Sequence, residues 1–175
     1  APFALCQRLF QFASQPVSIV VAPLWPAYAD AHARGDHTYV HLLLVRSMGL
    51  AALLGAGLIA VLVGVAPWAF AMLAQGEIEV PMALVLLFAC WVFLELMGNT
   101  FAMFLNGVGL VRLQAVIATV FVVFAMPAKI WAVQVWGLNG LLGSAIVLYL
   151  ALVVLPYCVL LSLGRLRGTS TTSSE

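Results

Sequence analysis

Long apolar runs separated by short polar breaks set the pattern of this chain. Five runs, at about 2–25, 42–70, 81–105, 113–136 and 141–163, each approach or exceed the roughly 20 residues that a helix needs to cross the hydrocarbon core of a bilayer. The breaks between them hold turn-forming residues: Pro26 and Gly35–Asp36 after the first run, AQGEIEVP after the second, NGVGLVR after the third and WGLNGLLG after the fourth. The pattern predicts an all-α integral membrane protein, a five-helix transmembrane bundle over 1–163. The Ser/Thr composition of 164–175, GRLRGTSTTSSE, predicts a disordered tail.

The first run differs from the other four. Gln7, Gln11, Ser14 and Ser18 recur at helical spacing, with Arg8 and Gln15 flanking them on the same side. A face that carries carboxamides, hydroxyls and a cation at membrane depth has to look onto protein or water. It is expected to line a polar cavity. Pro16 removes one backbone hydrogen bond beside this stripe and favours a kink there. Gly35 suits the position just past a helix end, and Asp36 is placed to cap the next helix.

Composition agrees with the pattern: 65% of residues are hydrophobic and 7% charged, against about a quarter charged in a soluble domain, and the mean hydropathy is +1.16. The net charge of +1 comes from scattered cations with no basic run, which gives no basis for nucleic-acid binding. Cys6, Cys90 and Cys158 are an odd count inside apolar runs without CxxC spacing, and they read as packing residues. No signal-peptide pattern is present. The first helix lacks a leading loop or cap, which favours a chain preceded by further sequence.

Arg34, Arg46, Arg112, Arg165 and Arg167 fall on one side of an alternating five-span topology, while Glu77 and Glu79 occupy the loop between the second and third runs on the other. The positive-inside rule then makes the C-terminus cytoplasmic. Lys129 is the exception, near the outer side and close to Pro127.

Three stretches carry a resemblance: LWPAYADAHARGD after a polar helix, NGVGLVRLQ, and GLNGLLGSA at the start of the last span. Together they resemble the C-terminal half of the oligosaccharide flippases, the polysaccharide and O-antigen transporters of the MATE-like superfamily. The resemblance implies most of the second lobe of a two-lobed transporter in the bacterial inner membrane, completed by a missing N-terminal lobe. It implies alternating-access flipping of a polyprenyl-diphosphate-linked oligosaccharide and no enzymatic activity.

Candidate chemistry lies on several residues. Glu95 sits mid-span in WVFLELMGNTF, with Asn99 one turn on and Asn106 farther along roughly the same face. A carboxylate there has to be protonated, paired or hydrated. It is a candidate ion-coupling group or sugar contact, or alternatively a helix-to-helix bond. Arg8 and Lys129 are the cations placed to replace diphosphate hydration, with snorkelling to the interface as the alternative for each. Gln7, Gln11, Ser14 and Gln15 offer donors and acceptors to sugar hydroxyls, or hold helices together.

His37 and His41 have the i, i+4 spacing of a metal pair, yet no HExxH motif or further ligand cluster accompanies them, and the plain reading is an exposed turn. No metal or other cofactor is expected. The sequence also holds no phosphate-cradling glycine loop or catalytic triad order. Two alternatives remain: a multidrug or small-molecule exporter of the same superfamily, whose cavity should be more apolar or acidic than cationic, and a membrane-bound transferase acting on lipid-linked sugars.

Overall fold

The computed structural model describes residues 2–21, 23–73 and 81–162. Among them every regular element is helical: α1 (Pro2–Val21), α2 (Leu24–Ala33), α3 (His37–Leu73), α4 (Met82–Gly107), α5 (Val111–Tyr149), a π-helical turn (Leu150–Val154) and α6 (Leu155–Ser162). Three segments are long and apolar enough to cross a membrane: His37–Ala69, Met82–Gly107 and Val111–Leu160. They mark the chain as a membrane protein. The polar residues of α1 keep it out of this set. The loop with Glu77 and Glu79, and the tail with Arg165 and Arg167, lie outside the described residues.

The first expected helix divides in two. α1 runs as helix through Pro16 to Val21, and a turn at Pro23 starts α2, which carries Trp25 to Ala33 as a separate elbow. Gly35 ends the elbow with φ +71, a conformation that glycine adopts at little cost. The Asp36 carboxylate then accepts a hydrogen bond from the Tyr39 backbone nitrogen at 2.9 Å, the expected cap on α3.

The segment 111–160 is no single rod. Gly137 has φ 63 and ψ −147, a combination essentially restricted to glycine, and it folds α5 back on itself. Phe121 and Tyr149 would lie roughly 42 Å apart on a straight helix, yet their ring centroids are 5.6 Å apart. The arms 111–136 and 138–149 therefore run antiparallel. Gly140 lets them close tightly, because a Cβ there would overlap the Ala132 carbonyl oxygen.

α4 is the central helix, packed against α1, α2, α3 and α5. Its buried residues Leu84, Val85, Phe88, Ala89, Val92 and Leu96 recur at three- and four-residue spacing, so one face enters the core. That face meets Cys6 and Phe10 of α1, Leu62 and Ala66 of α3 and Leu142 of the second arm of α5. A second cluster at the far end of α4 holds the elbow. There Tyr28 and Ala31 pack with Val40, Leu44, Phe101, Phe104, Leu105 and Val108.

Tyr28 is fully buried, and its hydroxyl shares a hydrogen bond with Ser47. A Cβ on Gly107 would collide with Tyr28, so the elbow sits directly on the α4 backbone. This packing brings the α2–α3 and α4–α5 turns to one end of the bundle, with Arg34 and Arg112 on the helix ends beside them. Large apolar side chains such as Leu53 (72% exposed) and Trp68 (67%) point outward, as expected of surfaces that meet lipid.

Candidate functional site

A largely polar cavity of about 550 Å³ opens between α1, α4 and the second arm of α5. Gln11 and Gln15 of α1 and Glu95 and Asn99 of α4 line it. Each pair has i, i+4 spacing, which stacks its two side chains on one face of its helix. The two helices run parallel: Phe3 meets Phe88 near one end with ring centroids 5.0 Å apart, and Gln15 shares the cavity with Asn99 farther along. Facing stripes thereby stay in step over about one turn.

Tyr149 is the lining residue that reading the sequence missed. Its ring lies edge-on between Trp91, with centroids 5.7 Å apart, and Phe121, which fixes its plane. The hydroxyl occupies the space left by Gly98, where a Cβ would overlap it. The π-helical turn begins at the next residue, Leu150, and such turns recur at functional sites. The available signal was the glycine at position 98 beside Glu95 and Asn99, which announced room for a large partner.

Arg8 and Gln7 are exposed on α1 and do not line this cavity. Lys129 is also outside it: its Nζ lies 5.7 Å from the centroid of the Trp91 ring, a cation–π geometry. The side chains of Ser14 and Ser18 are outside the described residues, and Asn106 is not among the lining residues. The cavity thus offers one carboxyl group, three carboxamides and a phenol. Carboxamides and phenol both donate and accept hydrogen bonds, so the set suits a hydroxyl-rich or cationic ligand better than an anion.

Among the described residues no group of three or more His, Cys, Asp or Glu stands close enough to hold a metal ion. No protein-family model matches the sequence, and comparison with curated proteins and with solved structures finds no similar chain.

Proposed function

We propose that this chain forms most of the second lobe of a transporter that flips polyprenyl-diphosphate-linked oligosaccharide across the bacterial inner membrane by alternating access. The observation that carries the reading is the polar cavity in an otherwise apolar helical bundle, walled by Gln11, Gln15, Glu95 and Asn99. Sugar hydroxyls need neutral groups that both donate and accept, and three of these four side chains are carboxamides. In this reading α1, α3, α4 and the two antiparallel arms of α5 with its α6 extension are five spans. The C-terminus is cytoplasmic, a missing N-terminal lobe completes the cavity, and the prenyl tail stays in lipid.

Arg8 and Lys129 serve as diphosphate contacts in this reading only if the completed cavity extends to them. Their double replacement by alanine in the complete protein is expected to reduce flipping while leaving membrane insertion intact. Normal flipping by Arg8→Ala/Lys129→Ala would remove them as diphosphate contacts. Normal flipping by Gln11→Ala/Asn99→Ala would remove the sugar reading of the cavity.

A second reading has a specific observation behind it. Among the described residues the one charged side chain lining the cavity is Glu95, which suits a small-molecule exporter of the same superfamily that takes cationic substrates. Glu95→Gln separates the two: an exporter loses cation efflux, whereas a flippase without ion coupling at Glu95 keeps transport of the lipid-linked sugar.

A further inference from the structure

A second cavity, of about 370 Å³, lies at the elbow, outside the site described above, and its chemistry is graded along its length. At one end three imidazoles line it: His32 of α2 and His37 and His41 of α3. The His32 and His37 rings are 6.1 Å apart, centroid to centroid. Beyond them the walls become apolar, first Val40, Leu44, Val45 and Met48 along α3, and then Val108, Phe104 and Phe101 along α4 in the reverse order of sequence. From His37 to Met48 the groove runs roughly 16 Å at the helical rise.

We propose that this groove binds one glycerophospholipid, with the phosphate at the imidazoles and an acyl chain lying along α3 and α4. The order of the lining matches the order of the ligand. α3 has 37 residues, well beyond the roughly 20 that span hydrocarbon, so its first turns stand in the headgroup region while Leu44 to Met48 reach the acyl region. Every imidazole presents an N–H donor in either tautomer.

Among the described residues no carboxylate lines the groove. The two acids of the elbow are engaged elsewhere, Asp30 with Arg34 at 2.8 Å and Asp36 with the Tyr39 nitrogen. The donors at the water end therefore face a ligand that supplies acceptor oxygens and a chain long enough to fill the apolar end, which a free phosphate does not. The volume falls within the roughly 300–1,000 Å³ of small-ligand sites. This inference is independent of what the Glu95 cavity transports.

The test places the full chain in phosphatidylcholine nanodiscs and measures the relative association of spin-labelled phosphatidylglycerol and spin-labelled diacylglycerol, which has the same acyl chains and no phosphate. The expected result is an immobilised site that prefers phosphatidylglycerol to diacylglycerol by about tenfold, the ratio given by one net hydrogen bond to a charged group. His32→Leu/His37→Leu/His41→Leu, which removes the N–H donors, should abolish the preference. Val45→Trp, at a position 56% exposed and therefore tolerant of size, should fill the groove and release both lipids.

Equal binding of the two lipids by the unaltered chain would overturn the proposal. Preference retained in the triple variant but lost in Arg34→Gln/Arg112→Gln would also overturn it, by assigning the selectivity to the basic end of the bundle. Exclusion of both lipids because a second copy of the chain covers the groove would overturn it as well.

Discussion

Replacing Gly107 by alanine is expected to unseat the elbow. The added methyl would overlap the Tyr28 Cβ and come within 3.1 Å of both the Ala29 nitrogen and the Trp25 carbonyl oxygen. Two of these three neighbours are backbone atoms and the third is attached directly to backbone, so no side-chain rotation relieves the clash. α2 has to move as a body. Overpacking of this kind costs about 1–3 kcal/mol. The shift also breaks the buried Tyr28–Ser47 hydrogen bond, which adds about 0.5–1.5 kcal/mol.

The sum of about 1.5–4.5 kcal/mol corresponds to a fall of roughly 3–18 °C in Tm for a chain of this size. Thermal unfolding in detergent, followed by circular dichroism, reads it directly. The double variant with Tyr28→Phe supplies the sharper test. Tyr28→Phe alone should cost about 1 kcal/mol, but almost nothing in the Gly107→Ala background, where the bond is already lost. A Gly107→Ala protein melting within about 2 °C of the parent, or a fully additive double variant, would refute the account of how the elbow is held.

Other outcomes follow from the same geometry. Asp36→Ala should lose the cap on α3 and about 1 kcal/mol, with Asp36→Ser restoring most of it in the same melting assay. Gly137→Ala places a side chain at φ 63, ψ −147 and should cost about 1–3 kcal/mol; an unchanged Tm would mean that the arms of α5 tolerate another torsion. Lys129→Gln should lower stability by only about 0.5–1 kcal/mol, because its contact with the Trp91 ring is a partly exposed cation–π pair. The Gln114 Oε1 atom is buried without a hydrogen-bond partner among the described residues, so Gln114→Leu should leave Tm unchanged or raise it, and a marked fall would reveal a partner for that oxygen.

Elements whose cause is local were legible in the sequence. The apolar runs announced membrane helices, Gly35 and Asp36 announced the end of one helix and the cap of the next, and Gln11 with Gln15 and Glu95 with Asn99 announced two polar faces. The structure brings these faces together. What the sequence did not disclose depends on tertiary packing. Tyr149 reaches the cavity because a glycine on another helix leaves it space, and no periodicity within its own helix records that. Lys129 read as a group for anionic ligands, but its position is set by Trp91, a partner 38 positions away along the chain. The first run read as helix to about residue 25, but α1 ends at Val21 and the turn at Pro23 starts α2 as a separate elbow.

The break at Gly137 gives the second arm of α5 the character of a lever. Tyr149 stands twelve positions beyond that glycine, roughly 18 Å along the helix at its axial rise. A change of about 5° in the angle of the arm moves the far end by roughly 1.5 Å, half the length of a hydrogen bond. One glycine torsion between the two arms thereby sets how far the phenol reaches into the polar chamber.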